Sequence, residues 1–144
     1  MTLHKILVGA LLLVFGCLCT AQKAEIKTVP IKHVDPSSGE KMYVTYCAVC
    51  HGTDGKGVGP ATPALKTPPS DLTTLAKRNG GKYPALQVAQ TIKGDVALPA
   101  HGDKNMPVWG RAFRSLHAGA DPSVEPHVQM RITNLTSYIE SLQR

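Results

Sequence analysis

The sequence predicts an all-α domain of short helices and long loops, wrapped around something other than its own side chains. Three observations lead there. No stretch alternates apolar and polar residues as a strand would, whereas Val124, Val128, Ile132, Leu135, Ile139 and Leu142 recur at three- and four-residue steps. Aromatic residues make up only 5% of the 144, so the rings that usually fill a small core are scarce. Thirteen Gly and 11 Pro imply loops too long for a few short helices to cover alone. Such loops need an apolar object to enclose.

Composition removes several classes of function. At 42% hydrophobic residues the chain is neither disordered by composition nor a multi-span membrane protein. The formal charge of +6 is spread without a long Lys or Arg run, so no nucleic-acid grip is expected.

Taken in order, residues 1–21 read as a secretory signal peptide. Lys5 supplies the basic start, Ile6 to Leu18 is apolar, and Cys19 and Ala21 are the small residues before the cut. The apolar run is short for a membrane span. A retained anchor, or lipid attachment at Cys17, are the alternatives that would tether the chain to a membrane. Residues 22–36, with Pro30 and Pro36, read as a linker. Residues 37–144 form the domain.

Ser38 caps a first helix that carries Met42, Tyr43 and Tyr46 into Cys47. The Gly- and Pro-rich stretch 52–70 is an irregular loop. Ser70 or Asp71 caps a short helix over 71–78, stopped by Asn79-Gly80-Gly81. Pro84 opens a third helix with Leu86, Val88, Ala89 and Ile92 on its apolar face and Gly94 as its stop. Residues 95–121 are another loop, and Pro122 behind Asp121 opens the last helix, which carries the apolar stripe.

If residues 1–21 are removed, Cys47 and Cys50 are the remaining cysteines. So small a loop staples almost nothing as a disulfide, so their role is chemical. Cys47-Ala48-Val49-Cys50-His51 is C-x-x-C-H, the attachment signature of c-type haem. Two thiols three residues apart reach the two vinyl groups of one porphyrin, and the adjacent imidazole reaches the iron. A redox-active C-x-x-C would want a βαβ setting, a zinc site would want a second tight pair of ligands, and the Gly-rich loop lacks phosphate-binding forms.

For the other axial position, Met42 and Met130 fall on helices and read as core. Met106 stands in a loop beside Pro107, as Asn105-Met106-Pro107-Val108-Trp109-Gly110. His101 is the rival ligand; His33, His117 and His127 are weaker. A thioether ligand raises the potential and closes the sixth position, which favours electron transfer over chemistry on a substrate.

These residues resemble the class I monohaem cytochrome c family. The likeness rests on Cys47 to His51 with Gly52, on Gly59-Pro60, and on Met106-Pro107-x-Trp109-Gly110. Gly39 to Tyr43 and Leu135 to Ile139 add the family's terminal helix patterns. The resemblance implies one covalent haem c, His51 and Met106 as axial ligands, and Gly39 packed against Tyr138 where the first and last helices cross. It also implies that the Pro60 carbonyl accepts the His51 ring N–H and that Trp109 lies near a haem propionate. The function implied is an exported electron carrier of the periplasm or the outer face of the cytoplasmic membrane, monomeric and not itself an enzyme. Redox donor and acceptor proteins would be its partners. Lys56, Lys66, Lys82, Lys93 and Lys104 would form a rim for acidic partners. A haem subunit of a larger dehydrogenase or oxidase, and a peroxidase or gas-binding protein, are the competing readings.

Overall fold

The computed structural model describes residues 30–95, 109–117 and 123–144. The stretch read as a signal peptide, His101, Lys104, Met106, Pro107 and Pro122 lie outside them. Six α-helices and two short 3-10 turns make up the described residues, with no strand among them.

Helix α1 (Gly39–Tyr46) starts at Ser38, whose hydroxyl accepts the Lys41 N–H at 3.2 Å. It buries Met42, Tyr43 and Tyr46. After Cys47 comes α2 (Ala48–His51), a single turn. A 3-10 turn at Thr62–Ala64 interrupts the long loop. The 3-10 turn Leu72–Thr74, capped by Asp71, leads into α3 (Leu75–Arg78), and α4 (Ala85–Lys93) follows Pro84. Helix α4 stops at Gly94, whose φ of +87° is the left-handed turn glycine permits.

Two expectations for these elements need correction. Leu86, placed on the apolar face of α4, is 73% exposed, because only Val88, Ala89 and Ile92 turn toward the core. Met130, read as a core methionine, is also exposed, on the outer side of the last helix.

The stretch expected to be loop contains α5 (Trp109–Arg114), which stands on the fully buried Phe113. The last helix, α6 (Val124–Ser141), buries Val128, Ile132, Leu135 and Ile139 from the predicted stripe. It also buries Arg131, whose guanidinium donates to the Val34 carbonyl at 2.8 Å and lies 5.7 Å over the Phe113 ring.

The core forms where α1 crosses α6 and where α4 and α5 pack against α6. At the crossing Gly39 meets the Asn134 carbonyl and the Tyr138 Cβ so closely that there is no room for a side chain. Tyr43 and Tyr138 continue the contact, with ring centres 5.2 Å apart. Gly39→Ala is expected to push the two helices apart and cost about 2 kcal/mol, net of the better helix propensity of Ala. Thermal unfolding of the loaded protein measures it.

Residues 30–36, read as a linker, lie against the domain. Tyr46 donates to the Lys32 carbonyl at 2.6 Å and Asn134 to the Pro36 carbonyl at 2.7 Å.

Candidate cofactor site

A four-residue helix is too short to be stable alone. Helix α2 persists because its carbonyls are all satisfied from outside or from its cap. Gly52 N–H bonds Ala48, Ala61 N–H bonds Val49, Gly59 N–H and the Thr62 hydroxyl bond Cys50, and Gly57 N–H bonds His51, at 2.8 to 3.1 Å. The Gly-rich loop is therefore a cradle for the C-x-x-C-H turn. Gly59 sits against the Ala48 and Val49 carbonyls with no space for a Cβ. The Tyr43 hydroxyl, from the core side, donates to the Gly52 carbonyl at 2.8 Å.

Cys47 and Cys50 are unbridged. Burial pushes the Cys47 thiol up to about 12, with the neighbouring Cys50 adding to the shift. A redox-active C-x-x-C works the other way, lowering a thiol pKa to expose a thiolate nucleophile. Cys47 is thus a poor thiolate nucleophile at neutral pH.

His51 is 8% exposed, and its Nδ1 lies 3.1 Å from the Ser70 carbonyl. With the ring proton on Nδ1, that contact is a donated hydrogen bond and the Nε2 lone pair is the one a metal can take. Ser70 therefore holds the place expected of Pro60. Residues 59–61 are bonded to the outer carbonyls of α2, which leaves Pro60 on the exposed surface. Main-chain acceptors carry no residue signature; the stiff Pro68-Pro69 pair ahead of Ser70 is the sequence feature that could have pointed to it.

Cys47 and His51 open onto a cavity of about 420 Å³. Leu72, Leu75, Val88, Ile92 and Ile139 give it apolar walls, and Arg78 and Gln87 add polar ones. This is the size and chemistry of a cofactor pocket. Trp109 belongs elsewhere: its ring centre is 5.2 Å from Tyr46 and 5.7 Å from Phe113, in an aromatic cluster of the core. Of the lysines read as a rim, Lys56 pairs with Asp54 at 3.3 Å and Lys93 with Asp95 at 3.0 Å. Such exposed pairs contribute little to stability.

The profile of the family described as Cytochrome c matches residues 37–143. The chain belongs to the cytochrome c family. A search of the curated proteins found no match, and neither did a search of the solved structures. As a member of the cytochrome c family, the chain is an all-α haem c protein of electron transfer. The residues present fit that group. A paired-thiol turn, a buried imidazole oriented by a carbonyl and an apolar cavity meet at one place. Among the described residues no helix is long and apolar enough to cross a membrane.

Proposed function

We propose that this cytochrome c is an exported carrier of single electrons, with thioethers at Cys47 and Cys50 and with His51 and Met106 on the iron. The observation that carries the reading is the oriented His51 at the wall of the cavity, one residue beyond Cys50. Haem bound there supplies a one-electron iron couple. The chain's own residues hold it still: α2 fixes both thiols on one turn, Ser70 fixes the imidazole plane, and the apolar walls exclude water. A raised Cys47 pKa and a cradle devoted to main-chain bonds support holding a group over processing a substrate. The proposed location is the periplasm or the outer face of the cytoplasmic membrane, and the partners are donor and acceptor proteins.

Oxidised and reduced visible spectra of protein matured in a haem-loading host test the reading. A low-spin haem c with a weak far-red thioether-to-iron band is expected. A high-spin resting spectrum would transfer the assignment to a peroxidase or gas-binding protein.

Met106→Ala is expected to open the sixth position, giving a high-spin or exogenous-ligand spectrum and a lower potential. An unchanged spectrum would hand the ligand role to His101 or another residue.

With Lys66 and Lys82 exposed and free of the two ion pairs above, electron transfer to an acidic partner is expected to slow with salt. The rate should drop on the order of tenfold between about 10 mM and about 150 mM, as the screening length shortens from about 30 to about 8 Å. A flat response would discard the rim.

A further inference from the structure

We infer that Gln143 is a positioning residue for the axial imidazole, acting through the segment that carries the Ser70 carbonyl. The inference rests on the reading that His51 ligates the iron. Gln143 follows α6, and its amide spans to the other wall of the cavity. Its Oε1 accepts the Ala76 N–H at 2.9 Å, and its Nε2 donates to the Leu72 carbonyl at 2.7 Å and the Ile139 carbonyl at 2.8 Å. Both amide hydrogens and one acceptor site are thereby used. Arg144 N–H adds a bond to the Thr73 carbonyl at 3.0 Å.

The same segment is held from its other side. Leu72 N–H donates to the Gly55 carbonyl at 2.7 Å, and the Asp71 carboxylate takes the N–H and hydroxyl of Thr73 at 2.8 and 2.7 Å. Residues 71–76 are thus clamped between the loop that follows the haem motif and the end of α6. Ser70 is the residue immediately ahead of that clamp, and its carbonyl faces His51 Nδ1. Leu72, Leu75 and Ile139, which the amide ties together or adjoins, are also cavity walls. A well-placed acceptor makes the imidazole a stronger base and stabilises the ferric state; a loosened one does the reverse.

A purely structural staple would lower stability and leave the His51 hydrogen bond as it was. The experiment therefore compares loaded wild type, Gln143→Leu, Gln143→Glu and Val128→Ala. Val128 is fully buried but lines no part of the cavity. Visible spectra come first: a wild type that holds no haem c overturns the His51 reading itself, independently of Gln143. Given a normal wild type, exchange of the His51 Nδ1 proton is followed by NMR in the ferrous state, together with the potential.

Gln143→Leu is expected to speed that exchange at least tenfold and shift the iron about threefold toward ferrous at a fixed applied potential. Gln143→Glu keeps the acceptor for Ala76 and loses both donors. Its added negative charge favours ferric iron by itself, so it is read by exchange alone: it should speed the His51 proton as Gln143→Leu does, and it replaces the Leu variant if that one yields no holoprotein. Val128→Ala should lose stability and leave both readouts at wild type. Wild-type exchange in both Gln143 variants, a wild-type potential or a shift toward ferric in Gln143→Leu, or an equal change in Val128→Ala each overturn the proposal.

Discussion

Replacing Cys47 and Cys50 together by Ala is expected to abolish holoprotein and leave a chain that does not hold its fold. Both thiols sit on the one turn whose carbonyls the Gly-rich loop satisfies, so among the described residues no other pair is placed to take over. Without the cofactor, the apolar walls formed by Leu72, Leu75, Val88, Ile92 and Ile139 face a void of about 420 Å³. At about 24 cal/mol per Å³ such a void carries a penalty on the order of 10 kcal/mol, an upper bound because water enters its mouth. That rivals the whole stability of a small domain, about 5 to 15 kcal/mol. Intact mass should show the bare polypeptide, and far-ultraviolet circular dichroism should show lost helix. A stable, helical double variant would mean that the core needs no cofactor.

Gly59→Ala is expected to strike the attachment turn directly. A Cβ there collides with the carbonyls of Ala48 and Val49 and comes within 2.7 Å of the Cys50 carbonyl carbon. None of these is a flexible side chain that can swing aside. Gly59 and Ala61 are at the same time bonded to Cys50 and Val49, so the loop cannot retreat without giving up the bonds that hold α2 together. A cost of about 3 kcal/mol follows. For a domain of this size that lowers the melting temperature by roughly 12 to 24 °C. Differential scanning calorimetry of the loaded variant, beside the yield of holoprotein, checks both consequences. A Tm within a few degrees of wild type would show that the cradle yields.

The terminal helices were legible because each carries a strong local signal. Ser38 is a capping residue ahead of an apolar run, and α6 repeats its apolar positions over eighteen residues. The attachment motif was legible because its spacing is tied to one porphyrin. What escaped depends on tertiary partners. Helix α5 is six residues long, includes Gly110, and exists because Phe113 packs under Arg131 and Tyr46. The acceptor for His51 is a carbonyl, which any residue supplies, so only the path of the chain through Pro68 and Pro69 selects Ser70 over Pro60. Gln143 reads as an ordinary exposed amide until its three partners are seen. Leu86 and Met130 show the converse: apolar residues at helical spacing that face outward because nothing packs there.

Tyr46, Arg131 and Asn134 reach the carbonyls of Lys32, Val34 and Pro36, every second residue of the segment ahead of α1. A slip of one position would turn all three acceptors away together, so this approach to the domain has a single register. The chain therefore enters the domain at one fixed point on its surface, and anything joined there inherits that heading.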